Sequence, residues 1–254
     1  MSLPLRKRLA IDVATISNTN RVSNVRLKHS SSQWLERQRK DLYAKMSRYD
    51  DYRARSAFKL IQIDDKYQIL KPGSIVIEAG AAPGSWTQVI CRRMRLSSEN
   101  NKLTNPEAGL CIAVDISAIE PVDGAICIGN ADFTSPFTQG KILTWLDGRR
   151  ADCVLSDMAP KATGLKQFNH TLIVNLVKGL IPFSVEVLRP GGDLLFKLWD
   201  GEETQEIVGR MRILFDTVLR VKPQASRGDS SEVYILCRGR KKDEGRKTQD
   251  LIMK

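Results

Sequence analysis

Short apolar segments alternate along the chain with longer segments in which apolar residues recur every three or four positions. The short runs have the length of buried strands, and the longer segments have the period of helices. We expect strands over residues 74–78, 110–114, 125–128, 153–156, 194–198 and 233–237, and helices over 56–70, 86–95, 172–188 and 203–215, with a polar loop at 97–107. This alternation predicts an α/β fold with a mostly parallel sheet, helices on both faces and a ligand crevice at the carboxyl ends of the strands.

A turn of small residues follows the first predicted strand, in the sequence SIVIEAGAAPGSW at residues 74–86. Gly80 and Gly84 let the backbone approach a ligand closely, and Pro83 fixes the turn before a helix begins. Ala82 occupies the second glycine position of a dinucleotide fingerprint, and the turn lacks the ending of a P-loop. The turn therefore favours a nucleoside ligand, although an ordinary strand-to-helix connection would have the same sequence.

Acidic residues end three successive predicted strands: Glu78, Asp115 and Asp132. In such a sheet, a carboxylate at the position of Asp115 accepts hydrogen bonds from ribose hydroxyls. A carboxylate at Asp132 could accept a hydrogen bond from the exocyclic amine of adenine, with Phe133 beside the ring. Each acid alone could be a strand-end or capping residue, but the three together favour a nucleoside site.

Two lysines and two carboxylates occupy positions where charge is unexpected or lies at a strand end. Lys197 interrupts an apolar strand, Asp157 ends the fourth strand, Glu232 begins the last strand and Lys59 lies on the first predicted helix. Such a cluster can orient one lysine for proton removal while the other restrains its pKa or holds the substrate. The alternative for Lys197 is a side chain that extends to solvent from the end of a strand.

Basic residues are concentrated at the two ends of the chain. Residues 1–60 carry 14 basic and 5 acidic side chains, residues 61–237 carry 19 and 21, and residues 238–254 carry 7 and 3, for a total charge of +11. A near-neutral body with two basic ends is typical of a folded enzyme with phosphate-facing arms. Solvated basic termini without a partner are the alternative.

The first 32 residues are rich in Ser and Thr and contain a single acid, Asp12. Their basic residues are Arg6, Lys7, Arg8, Arg21, Arg26 and Lys28. A mitochondrial transit peptide and a disordered RNA-binding arm would both have this composition. We expect a basic leader over 1–32, a catalytic domain over 33–240 and a charged tail over 241–254.

Aromatic and basic residues are interleaved just before the first predicted helix. They are Tyr43, Arg48, Tyr49, Tyr52, Arg53 and Arg55. This arrangement suits contact with phosphates together with base stacking, and it predicts an affinity for RNA that falls steeply with salt. A solvated helix face is the alternative.

Several function classes are disfavoured by what the sequence lacks. No apolar run approaches the ~18 residues of a membrane helix, and no secretory signal follows the first basic residues. The five cysteines form no C-x-x-C pair, which fits a reducing compartment. His29 and His170 are the only histidines, so we expect no His-ligated metal centre and no Ser-His-Asp triad.

The motifs YRARSAFKL, EAGAAPGSW, AVDI, ADF, SDMAP, FKLWDGE and SEVYIL occur in this order between about residues 50 and 240. In order and spacing they resemble the FtsJ/RrmJ family of S-adenosylmethionine-dependent RNA ribose 2′-O-methyltransferases. The resemblance implies a Rossmann-like class I methyltransferase with a seven-stranded sheet, and S-adenosyl-L-methionine as its cofactor. It also implies a catalytic tetrad at Lys59, Asp157, Lys197 and Glu232, and cofactor contacts from Gly84, Trp86, Asp115, Asp132 and Asp157.

Two positions depart from the family pattern, because Glu78 stands where the turn often has Asp and Ser85 replaces a glycine. The short chain and its leader most resemble mitochondrial members, which implies a uridine ribose of large-subunit rRNA as target and an immature mitochondrial ribosomal subunit as partner. A cytosolic tRNA 2′-O-methyltransferase and a ribosome-assembly factor that acts by binding are the alternative functions, and the cytoplasm or the nucleus is the alternative location. A nicotinamide-dependent oxidoreductase is disfavoured by the missing fingerprint.

Overall fold

A seven-stranded sheet forms the centre of the protein in a computed structural model that describes residues 42–98, 109–160, 166–227 and 230–242. The strands are β1 (Ile75–Ala79), β2 (Leu110–Val114), β3 (Ala125–Ile128), β4 (Ala151–Ser156), β5 (Leu188–Trp199), β6 (Phe215–Val221) and β7 (Glu232–Arg240). Their spatial order is β3-β2-β1-β4-β5-β7-β6. The first five in this order are parallel, and β7 is antiparallel to both β5 and β6. The predicted mostly parallel sheet of seven strands is confirmed.

Helices cover both faces of this sheet, as the alternating pattern predicts. They are α1 (Ala57–Tyr67), α2 (Ser85–Met94), α3 (Pro136–Leu146), α4 (Lys166–Val187) and α5 (Thr204–Leu214), and residues 42–49 are also helical. One core cluster packs α1 and α2 against residues such as Val76 and Leu195. The other packs α3, α4 and α5 against residues such as Ile77 and Phe196. Successive strand residues thus point to opposite faces.

Two elements were not predicted, and several boundaries differ. Helix α3 contains an interior glycine and exposes Phe137, so its periodicity is weak. Strand β6 follows α5 without a break. The last residue of the predicted helix at 203–215 is therefore the first residue of the strand. Strand β5 begins at Leu188 rather than at residue 194, because the Pro-Gly-Gly segment continues the strand. Helix α1 ends at Tyr67, where Gln68 adopts a left-handed conformation with φ 52°.

Helix α4 contains an 18-residue stretch, His170–Val187, that by length and composition could cross a membrane. The stretch contains polar and charged residues, among them Asn175, Lys178 and Glu186, and a single helix of this kind is weak evidence of a membrane span. Half of this stretch is buried within the fold, and its apolar residues, such as Ile173 and Leu180, belong to the core beneath β5. Core helices of this kind meet the same length and hydropathy criteria as membrane spans.

The predicted leader at 1–32 lies outside the described residues, as do most of the loop at 97–107 and most of the tail at 241–254. The described part of the chain therefore begins shortly before α1, and it contains all of the predicted site residues.

Candidate active site

Four charged side chains converge where the parallel strands end. Period-two alternation puts Asp157, just after β4, and Lys197, on β5, on the sheet face that α1 covers. Because β7 is antiparallel to β5, its first residue lies at the carboxyl edge of the parallel strands, where Glu232 is the partner of Trp199. Helix α1 carries Lys59 over the same face. The predicted tetrad is therefore brought together in space.

The tetrad forms two ion pairs. The Nζ of Lys59 lies 2.6 Å and 2.8 Å from the two carboxylate oxygens of Glu232. The Nζ of Lys197 lies 2.8 Å from Oδ1 of Asp157 and 2.6 Å from the carbonyl oxygen of the same residue. The side chain of Lys197 is only 8% exposed, and the other three are 12 to 17% exposed. Charge is neutralised within each pair, which is what allows these groups to be buried.

Tyr234 connects the two ion pairs and was not predicted. Its hydroxyl donates a 2.6 Å hydrogen bond to Oδ1 of Asp157, and its ring centroid lies 5.9 Å from Nζ of Lys59. Burial and the carboxylates of Asp157 and Glu232 raise the pKa of Tyr234 well above its usual value. The phenol therefore stays protonated and acts as a donor. The sequence contained a signal for this residue, because Tyr234 is two positions after Glu232 and therefore lies on the same face of the strand.

A cavity of about 420 Å³ adjoins the tetrad at Asp157. Its lining includes Gly80, Ala82, Asp115, Ile116, Ser117, Asp132, Phe133, Asp157 and Met158. At Gly80 φ is +81°, and a Cβ atom would lie 2.6 Å from the backbone nitrogen of Met158. Only glycine therefore lets the turn after β1 approach the segment after β4 this closely.

The acids at the ends of β2 and β3 both face this cavity and also organise its loops. Asp115 accepts hydrogen bonds from the backbone N–H groups of Ala82, at 2.9 Å, and Ser117, at 2.7 Å. Oδ1 of Asp132 accepts bonds from the backbone N–H and the hydroxyl of Thr134, at 2.8 Å and 2.7 Å. Phe133 lines the cavity and packs edge-on against another core ring at 5.7 Å.

The family model described as FtsJ-like methyltransferase matches residues 52–240. The chain belongs to this family. Over 209 residues it is 42% identical to rRNA methyltransferase 2, mitochondrial, of Drosophila melanogaster, covering 82% of each chain. It is 41% identical over 211 residues to ribosomal RNA large subunit methyltransferase E of Parvibaculum lavamentivorans, covering 83% of this chain and 82% of the relative.

A solved structure of a ribosomal RNA methyltransferase from Plasmodium falciparum is similar to this chain with a TM-score of 0.64 and 27% identity. The match covers 74% of this chain and 98% of the solved chain. The expected Rossmann-like class I fold is thereby confirmed for this FtsJ-like methyltransferase.

Gly84 and Trp86 of this FtsJ-like methyltransferase do not line the cavity in the structure. Gly84 precedes α2 with φ +106°. Trp86 is 2% exposed, donates its indole N–H to the carbonyl of Ser56 at 2.8 Å, and packs 5.7 Å from the ring of Tyr234. These contacts bury Trp86 against Ser56 and Tyr234 rather than at the cavity. Its contact with a cofactor remains a prediction.

Glu78 is directed away from the cavity, contrary to its grouping with the crevice acids. Strand alternation turns it to the same face as Val76, towards α2. It is fully buried, and the hydroxyl of Thr87 donates a 2.7 Å hydrogen bond to its Oε2. Burial raises the pKa of Glu78 to about 8, and the carboxyl is therefore mostly protonated at neutral pH.

Proposed function

We propose that this protein transfers a methyl group from S-adenosyl-L-methionine to a ribose 2′-hydroxyl of large-subunit rRNA. The observation that carries the proposal is the junction at Asp157, where the Lys197 ion pair adjoins a cavity of nucleoside size. The names of the fly and bacterial relatives support rRNA of the large subunit as substrate.

The cavity fits the proposed cofactor in size and in the chemistry of its lining. Asp115 would accept hydrogen bonds from the ribose hydroxyls, and Asp132 would accept one from the adenine amine, with Phe133 beside the ring. Gly80 lets the turn after β1 approach Met158 closely, and both residues line the cavity. Asp157 lines the cavity and is a further contact, whereas Gly84 and Trp86 do not line it and are retained on the resemblance to the family. When bound, the cofactor supplies an activated methyl group, so the protein itself has mainly to position the acceptor and take up its proton.

We assign the proton-accepting role to Lys197. Two of the tetrahedral positions around its Nζ face acceptors of Asp157, which fixes the nitrogen beside a residue that lines the cavity. After loss of its own proton, the Lys197 amine would accept the proton of the 2′-hydroxyl as the oxygen–carbon bond forms, and the methyl–sulfur bond would break to leave S-adenosylhomocysteine. Asp157 and Glu232 orient the two lysines, and Lys59 holds the ribose-phosphate. Tyr234 keeps Asp157 in place through its hydroxyl.

Residues around α1 support contact with RNA. Arg55 lies beside the tetrad, and its guanidinium donates to the carbonyl of Ala225 at 2.9 Å. Partial burial and the nearby Arg227 guanidinium lower the pKa of Arg55. An RNA phosphate between these two like charges would relieve their repulsion. The helical segment at 42–49 exposes Tyr49, at 91%, and the basic side chain of Arg48.

The assignment of a mitochondrial target and location rests on the similarity to the fly protein named as mitochondrial, and on the composition of the leader at 1–32. We propose a uridine ribose of mitochondrial large-subunit rRNA as the target, a mitochondrial location, and an immature ribosomal subunit as the partner whose assembly the enzyme supports. Methylation of tRNA outside mitochondria and an assembly role through binding alone are outcomes that the following experiment distinguishes.

The test incubates the wild-type protein and Lys197→Ala with labelled S-adenosylmethionine and separate pools of mitochondrial ribosomal subunits and tRNA. Alkaline hydrolysis then locates resistant linkages, because a 2′-O-methyl group blocks attack on the neighbouring phosphate. We expect resistance in large-subunit rRNA with the wild type and its loss with Lys197→Ala. Lys66→Ala is the matched control, since Lys66 is an exposed lysine on the same helix as Lys59.

Each other outcome contradicts a stated part of the proposal. Label confined to tRNA would contradict the rRNA substrate. Near-normal transfer by Lys197→Ala at saturating RNA would contradict the assigned base. Binding of large-subunit precursors without label in any pool would favour an assembly factor over an enzyme.

A further inference from the structure

The side chain of Arg53 reaches from the segment before α1 to two loops that are distant in sequence. Its Nη1 donates hydrogen bonds to the carbonyl oxygens of Pro83, at 2.9 Å, and Glu120, at 2.7 Å. Its Nη2 donates to the carbonyl oxygen of Pro121 at 2.7 Å. The sequence pattern suggested that Arg53 contacts phosphate, but its donors are directed to backbone carbonyls instead.

Both loops contribute to the lining of the cavity at the carboxyl edge of the sheet, and they form two of its walls. The lining residues of the two walls are Gly80, Ala82, Asp115, Ile116 and Ser117. The walls are joined by the hydrogen bond from the backbone N–H of Ala82 to Asp115. Arg53 joins the same two loops a second time, a few residues further along each of them. Loss of Arg53 would therefore remove three of the hydrogen bonds that hold the loop after Asp115 against the glycine-rich turn.

A guanidinium is well suited to this position. Its planar fork presents several donors in fixed directions, whereas a lysine ammonium concentrates its donors on one nitrogen and cannot span the same three carbonyls. A Cβ atom at residue 84 would lie 2.5 Å from Nη1 of Arg53. The absence of a side chain at Gly84 therefore makes room for the guanidinium to cross the turn.

The backbone of Arg53 is itself fixed to α2. Its N–H donates to Oε1 of Gln88 at 2.9 Å, and Nε2 of Gln88 donates to the carbonyl of Asp51 at 3.0 Å. Arg92 donates to the carbonyl of Asp50 at 2.8 Å and lies 4.4 Å from the ring centroid of Tyr52. Residues 50–53 thus connect α2 directly to the helical segment at 42–49, which carries the proposed RNA-facing side chains.

We propose that Arg53 is a positioning residue that holds the two cavity walls together for the cofactor and couples them to the RNA-facing segment. This inference rests on the proposed function. Arg55, two residues further on, extends instead towards the loop before β7. RNA bound at residues 42–49 and at Arg55 would restrain the backbone that carries Arg53. This restraint favours the arrangement in which Arg53 holds the two cavity walls together. By thermodynamic reciprocity, bound cofactor then strengthens RNA binding by the same factor.

The test compares wild type and Arg53→Lys, which keeps the positive charge. The dissociation constant of S-adenosylhomocysteine is measured by calorimetry, with and without a saturating large-subunit rRNA fragment. We expect Arg53→Lys to weaken cofactor-product binding roughly three- to tenfold. We expect RNA to tighten that binding by roughly fivefold or more in the wild type, and by much less in the variant. In steady-state assays the KM for S-adenosylmethionine should rise while kcat stays close to the wild-type value.

Two control variants separate this role from a general structural effect. Arg189→Lys alters an exposed arginine that pairs with Asp152 at 2.6 Å near the amino end of the parallel strands, and it should leave both quantities unchanged. Arg55→Ala should weaken RNA binding without changing the affinity for S-adenosylhomocysteine in the absence of RNA.

The outcomes distinguish this inference from the proposed function. If the wild type binds S-adenosylhomocysteine and Arg53→Lys binds it equally tightly with the same response to RNA, the role of Arg53 is overturned and the proposed function stands. If the wild type does not bind S-adenosylhomocysteine at all, the proposed function fails, and the role of Arg53 fails with it. A fall in kcat at unchanged KM would also contradict a role in cofactor positioning.

Discussion

At the scale of single residues, Asp157 links the Lys197 ion pair, Tyr234 and the cavity. Its carboxylate accepts hydrogen bonds from Lys197 and Tyr234, and the same residue lines the cavity. The two donors meet at one oxygen, Oδ1, so a small movement of either donor changes the position of the other. Tyr234 is therefore expected to act on catalysis through Asp157 without touching the reacting atoms.

We expect Tyr234→Phe to lower kcat by roughly 10- to 100-fold. Without the hydrogen bond from the Tyr234 hydroxyl, the Asp157 carboxylate is held less firmly in position relative to Lys197. The KM values for S-adenosylmethionine and RNA should change little, since the ring remains in place. Steady-state kinetics with both substrates saturating measures the effect. Tyr67→Phe, at the end of α1, is the matched control, and an unchanged kcat in Tyr234→Phe would contradict the positioning role.

At the scale of elements, the antiparallel strand β7 makes the site possible. A parallel strand at its place would put Glu232 at the opposite edge of the sheet, far from Asp157 and Lys197. The face of the sheet that holds the tetrad also receives α1 and α2, and a buried hydrogen bond joins α2 to β1 through Thr87 and Glu78. Among the residues that the structure describes, Oε1 of Glu78 has no hydrogen-bond partner, which is costly for an ionised carboxylate.

Protonation of Glu78 makes the contact between β1 and α2 dependent on pH. Its pKa is raised from 4.5 to about 8 in the folded state, so the folded protein binds more protons than the unfolded chain between these values. The free energy of unfolding should therefore fall as pH rises through this window, by up to about 1.4 kcal/mol per pH unit from this group. Glu78→Gln should remove this slope.

Urea denaturation of wild type and Glu78→Gln at several pH values between 5 and about 8.5 measures the difference. Thr87→Val, which removes the hydroxyl that stabilises the charged carboxylate, should make the slope persist to higher pH. A pH dependence that is the same in wild type and Glu78→Gln would contradict the assignment of the raised pKa to this residue.

At the scale of the whole molecule, the described part of the basic N-terminal segment lies beside the candidate site. Residues 42–60 carry five basic and two acidic side chains, and they pack against α1, α2 and the cavity loops. A large polyanion bound there would meet the tetrad at the same edge of the sheet.

We expect neutralisation of Lys45 and Arg48, both exposed on the helical segment at 42–49, to weaken RNA binding. The double variant Lys45→Gln with Arg48→Gln should reduce the slope of log K against log salt by about 1.4, if both residues contact phosphates of a single strand. Binding titrations at several salt concentrations measure the slope. The double variant Lys66→Gln with Lys71→Gln alters two exposed lysines elsewhere and should retain the wild-type slope.

Much of the fold could be predicted from sequence because buried strands and amphipathic helices have different periods. The runs that became β1, β2, β3 and β4 are apolar and bounded by turns, so local pattern was sufficient. The pattern failed at α3, whose exposed Phe137 and Trp145 obscure the amphipathic period, and at β6, which alternates weakly on an outer edge of the sheet. Edge strands need less apolar sequence, and their signal is correspondingly weaker.

The order of residues along the chain specifies which residue types stand at the strand ends: acids after β2, β3 and β4, a lysine within β5 and an acid at the start of β7. The partners of these residues depend on the three-dimensional fold. Lys59 meets Glu232 across 173 positions, Tyr234 bonds to Asp157, Glu78 turns towards α2, and Arg53 contacts carbonyl groups instead of facing solvent. A periodic pattern specifies the face on which a side chain lies, whereas its partner depends on strand order, strand direction and how helices pack across that face.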